Sequence, residues 1–153
     1  MMLKTVTLQE ANGLLPLVKE HFCRLHILLA HLHHLRSELP KKNQERLGLD
    51  KRSHSLRLVQ KNAKKKEMRL ALKEIKEVEM LMEWEISNLM RLGAVVKGLF
   101  PPHIDFLSMK NNEPIFLCLH GGEEEIEHWH QLDDGSPIRH AIHKESFGPR
   151  VVH

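Results

Sequence analysis

Cys118-x-His120 and His128-x-His130 each space two metal-competent donors two residues apart, so an extended backbone turns both side chains to the same side. Imidazole and thiolate suit zinc, and four such ligands close a tetrahedral structural site. His103 and Asp105 offer substitute donors, and Glu123 to Glu125 could supply a carboxylate. Histidine is abundant, at thirteen of 153 residues, but no C-x-x-C or H-E-x-x-H spacing occurs. A cluster of hydrogen-bonded side chains holding a small sheet in place accounts for the same residues without an ion.

Glu123, His130 and Arg139 support a second chemistry. A histidine can exchange a proton near neutrality, a carboxylate can assist it, and the planar guanidinium can hold a carboxylate or phosphate. The plainer reading is a Glu123–Arg139 salt bridge with His130 bonded to Asp133. No nucleophile with a base and an orienting partner can be read from the spacing, so the balance favours a protein that is not an enzyme. His21, His26, His31, His33 and His34 scatter around a helix at 100° per residue and make no shared ligand face. Basic residues from Arg52 through Arg57, Lys61, Lys64, Lys65, Lys66, Arg69 and Lys73 to Lys76 form a stripe that a phosphate backbone could follow. No aromatic residue is interleaved with them, and aromatics make up only 5% of the chain, so nucleic acid ranks below a solvated helix face.

The elements that must position these groups divide the chain in two. Residues 1–100 hold 19 Lys and Arg against 11 Asp and Glu, while residues 101–153 hold 4 against 9. The change in charge coincides with a change from helical to alternating hydrophobic period, near Gly93. Thr7-Leu8-Gln9-Glu10 is a capping box that predicts a helix N-terminus at Thr7. Leu8, Ala11, Leu15, Val18, Phe22, Leu25, Leu29 and Leu32 then form a seam, which Leu14, Leu17, Leu28 and Leu35 widen. Pro16 predicts a kink near Gly13, and Pro40 the end of the helix. A second helix is expected from about Ser53 to Leu92 with Gly93 as its stop. Its seam is Leu56, Val59 and Ala63, then Leu72, Ile75, Val78, Met82, Ile86 and Leu89. Cys23 is expected to be a small packed residue beside the first seam.

Two asparagines, Asn111 and Asn112, separate two alternating runs and predict a two-residue hairpin turn. That turn pairs 110 with 113, 105 with 118 and 103 with 120. Ile104, Phe106, Leu117 and Leu119 then share a core face, leaving His103, Asp105, Cys118 and His120 together on the other.

With these motifs in view, the chain resembles a bacterial family known as domain of unknown function 2203. Its N-terminal motif resembles Thr7 through Pro16. Its C-terminal motif resembles Asp105-Phe106, Leu117-Cys118, Gly122-Glu123, Ile126, Trp129-His130, Asp133, Gly135 and Arg139. The resemblance brings no activity with it. It implies that a working C-terminal site would share Asp105, Cys118, Glu123, His130 and Arg139. His120, His128 and Gln131 stand where the family pattern has Arg, Tyr and Glu, so a site built on those histidines belongs to this protein or a subgroup.

The expected fold class is α+β in a single domain, 1–153. A long antiparallel helical hairpin over 7–92 precedes a small antiparallel β-sheet within 94–143, with 144–153 as a tail. A leftover helix face makes a homodimer through the helices the default. The leading functional reading is a non-catalytic dimeric interaction or scaffold protein, and zinc is the one cofactor the residues suggest. Cys23 and Cys118 lie too far apart in sequence to read as a paired framework and suit a reducing cytoplasm. No run approaches a membrane span and no leader pattern is present, which predicts a soluble cytoplasmic protein.

Overall fold

A computed structural model describes residues 3–48, 54–132 and 138–148. Helix α1 spans Leu8–Gly48 and α2 spans His54–Arg91. Strands β1 (Ala94–Leu99), β2 (Pro102–Lys110), β3 (Glu113–His120), β4 (His128–Gln131) and β5 (His140–Ala141) follow. The two helices pack together and the five strands form one antiparallel sheet in sequential order, the expected α+β architecture.

The capping box forms reciprocally: Thr7 N donates to Glu10 Oε2 at 2.8 Å, and Glu10 N donates to Thr7 Oγ1 at 3.0 Å. Pro40 does not end α1, which continues to Gly48. A proline deletes one rung of the ladder, and here the neighbouring turns persist, with Lys41 Nζ bonded to Glu38 Oε1 at 2.9 Å across the proline. Gly93 stops α2 as expected, adopting φ +93° and donating its N–H to Met90 O.

The chain forms two compact units, one of residues up to Leu25 and from Glu85 onward, the other His26–Trp84. In the second unit Leu32, Ala71, Ile75, Val78 and Met82 are buried. The pairs His31–Glu74 (3.2 Å) and Arg36–Glu79 (2.7 Å) run from helix to helix. The seam of α2 therefore uses Ala71, and Leu72 is exposed. A strict alternation of four and three from Ile75 and Val78 leads to 71, whereas 72 falls a full 100° away. Val59 and Ala63 are exposed as well, and Arg52, Ser53 and the side chains of Leu56 and Arg57 lie outside the described residues.

In the first unit Ala11, Leu15, Val18, Phe22, Leu25 and Leu89 are buried, and Glu85 stands in the seam where Ile86 was expected. Its carboxylate is held by His21 Nδ1 and by Arg24 Nε, the latter at 2.8 Å. Leu17 and Cys23 are exposed, because both fall beside rather than on the stripe.

The sheet is ordered by its second turn. Asn111 and Asn112 adopt φ of +51° and +64°, the left-handed pair a tight hairpin requires. The resulting register pairs Lys110 with Glu113, Asp105 with Cys118 and His103 with His120, as read from sequence. Ile104, Phe106, Leu117 and Leu119 are buried on one face. Where β1 ends its pairing at Phe106, the edge of β2 is taken by flanking segments: Val6 N donates to Leu107 O at 2.9 Å and Gly148 N to Met109 O at 3.1 Å. Phe147 is buried beside Trp129, so residues before Gly148 contribute to the core.

Candidate metal centre

Alternation along three adjacent strands builds the cluster. His103 and Asp105 are two apart on β2, Cys118 lies opposite Asp105 on β3, and His130 on β4 pairs with Phe116, which shares a face with Cys118. One donor atom from each of His103, Asp105, Cys118 and His130 lies within 4.8 Å of every other. His103 Nε2 is 3.3 Å from Cys118 Sγ and 3.4 Å from Asp105 Oδ1, and His130 Nε2 is 3.1 Å from Asp105 Oδ2. A tetrahedron with zinc–ligand bonds of 2.0 to 2.3 Å has edges of ~3.3–3.8 Å. The His103–Cys118 and His103–Asp105 separations fall within that span, and the His130–Asp105 separation lies just below it. Asp105, Cys118 and His130 are buried and His103 is partly exposed.

The direction of the His130 ring is informative. Its Nδ1 lies 2.9 Å from the Gln131 carbonyl oxygen, which can only accept, so Nδ1 carries the proton. The opposite nitrogen of a neutral ring then presents a lone pair to the Asp105 carboxylate. Two acceptors 3.1 Å apart need a shared proton or a metal ion between them. A histidine whose far nitrogen is fixed by a carbonyl is the usual outer support of a metal ligand. Asp105 Oδ1 is also buried and accepts no aligned hydrogen bond among the described residues. Burial, reinforced by the Asp105 charge and partly opposed by Arg139, pushes the Cys118 thiol up to about 12, so without an ion it stays protonated.

His120 and His128 occupy the same face but stand outside the four-donor grouping. The His120 ring meets His103 edge-on at 4.2 Å, and burial, together with the Arg139 and His103 charges, lowers its pKa. His128 Nδ1 lies 3.7 Å from Glu123 Oε1. The acid/base trio is divided: Glu123 Oε2 accepts from Arg139 Nη2 at 2.8 Å and from His120 N at 2.7 Å, while His130 is turned to Asp105. Burial opposes ionisation of Glu123, yet these hydrogen bonds outweigh it and hold its pKa below the usual range. Asp133 and Gly135 lie outside the described residues. The turn that carries Glu123 is fixed by Gly121, whose N–H donates to Pro102 O at 2.7 Å and where a Cβ would meet Pro102 Cδ at 2.8 Å.

Some contributors escaped sequence reasoning. Asn12 Oδ1 accepts from the N–H of buried Ile126 at 2.9 Å, tying the start of α1 to the loop before β4. Both residues belong to the quoted N- and C-terminal motifs, so their co-occurrence was the available signal. Of the basic stripe, Lys64 and Lys73 pair with Glu67 and Glu77 on their own helix, and Lys65, Lys66 and Arg69 are exposed. None belongs to the four-donor grouping.

A two-helix hairpin followed by a meander sheet whose one face gathers sulfur, nitrogen and oxygen donors defines an α+β protein with a candidate metal centre. The family model for the uncharacterized conserved proteins DUF2203 matches residues 4–142, and the chain belongs to that family. No curated protein and no solved structure matches it. No helix among the described residues is long and apolar enough to cross a membrane.

Proposed function

We propose that this is a zinc-binding protein in which His103, Asp105, Cys118 and His130 hold one ion that staples β2, β3 and β4 together. The observation that carries the reading is the convergence of these four donors within 4.8 Å, across three strands. A thiolate with two imidazoles selects zinc over the hard, oxygen-preferring magnesium and calcium. Four protein ligands fill a tetrahedron and leave no position for substrate, which favours a structural ion over a catalytic one. The scaffold role expected from the helical seams is compatible with such a centre.

Metal analysis of protein purified without a histidine tag tests this. About one zinc per chain is expected, retained in His120→Gln and His128→Gln and lost in Cys118→Ser and Asp105→Asn. Cobalt(II) in place of zinc should give the visible bands of a tetrahedral site, with the sulfur charge-transfer band missing in Cys118→Ser. Folded wild-type protein that takes up neither metal would overturn the proposal.

A further inference from the structure

Helix α2 carries a second stripe besides its buried seam. Lys66, Leu70, Lys73, Glu77, Met80 and Trp84 recur at alternating spacings of four and three, the repeat of a coiled-coil seam. All six are exposed, and Leu70, Met80 and Trp84 each present more than half their surface. At 100° per residue the stripe runs along the side away from Ala71, Ile75, Val78 and Met82. Leu81 adds to it, and Glu77, Met80, Leu81 and Trp84 line an open apolar depression. Apolar residues clustered this way on a solvated helix face mark an interaction surface.

We propose that this stripe is the seam of a homodimer in which α2 lies antiparallel to the same helix of a second copy, with the two-fold axis level with Ile75. Charge and size are complementary across that axis. About that axis Lys73 meets the partner's Glu77, Leu70 meets the partner's Met80, and Lys66 reaches over the partner's Trp84 ring, each contact occurring twice. Lys73 and Glu77 already lie on one side of their own helix, 3.9 Å apart. Neighbouring alignments are worse. One sets Leu70 against the partner's Lys73, one sets Glu77 against the partner's Met80, and one brings two Glu77 side chains together. A pattern that complements itself under a two-fold rotation fits a second copy better than an unrelated partner.

Sedimentation equilibrium at micromolar concentration should give twice 17.9 kDa. Lys73→Glu places a carboxylate against the partner's Glu77 and should weaken the dimer by about tenfold or more, as should Glu77→Lys. The double exchange Lys73→Glu with Glu77→Lys should recover dimerisation, with circular dichroism confirming unchanged helix content. In a Cys23→Ser background, Leu70→Cys with Met80→Cys should cross-link chains on oxidation, and neither single cysteine should. A monomeric wild type, a dimer indifferent to charge reversal, or cross-linking by Leu70→Cys alone would each refute the arrangement.

Discussion

Asp105 is the hinge of the candidate centre, since each of its oxygens faces a different histidine and its charge bears on the thiol opposite. Cys118 and His130 could be singled out from spacing, because alternation on a strand is a local property. The hairpin register already set Asp105 opposite Cys118, but preferring His103 and Asp105 over His120 and His128 needed ring orientation and close packing, which spacing does not encode. The two thiols should separate cleanly in reactivity. Cys23 is exposed and Cys118 is buried, with its thiol pushed up to about 12. A disulfide-exchange reagent should therefore titrate one thiol quickly and the other about a hundredfold more slowly, merging only on unfolding. Cys23→Ser should remove the fast phase.

Among the elements, the helices show how a charge can occupy a core position. The seam spacing makes position 85 an inward one, and Glu85 is tolerated there because His21 and Arg24 hold both of its oxygens. Hydrophobicity alone therefore pointed to Ile86, one residue along. Burial opposes ionisation of Glu85, but the bonds from His21 and Arg24 outweigh it and lower its pKa. A depressed carboxylate contributes stability that is present above its unfolded pKa of about 4.3 and lost as pH falls through the lower folded value. Glu85→Ala should cost about 2 kcal/mol at pH 7 by chemical denaturation, a figure discounted because Arg24 is half exposed. The difference from wild type should shrink below pH 4. A cost that did not change with pH would assign the effect to packing alone.

For the whole molecule, the proposed ion, held by three strands, would make part of the folding free energy depend on that metal. Chelation should lower the thermal midpoint by several degrees and speed amide exchange in β2, β3 and β4. The unit formed by His26–Trp84 has its own buried seam and ion pairs and should keep its protection. An unchanged exchange pattern after chelation would mean that the sheet owes nothing to an ion. Much of the architecture was legible beforehand: the capping box, the first seam, the glycine stop and the hairpin register at Asn111 and Asn112 depend on neighbours in the chain. So did the division of the sheet into an apolar face and a polar one. Folding alone settled that Pro40 is absorbed into a helix, that Glu85 enters the seam, and that His130 turns its Nε2 toward Asp105. Each depends on atoms distant in sequence, where hydrogen bonds and burial outweigh local preference. Periodicity can predict which side of a strand a donor occupies, but only close packing determines which donors meet.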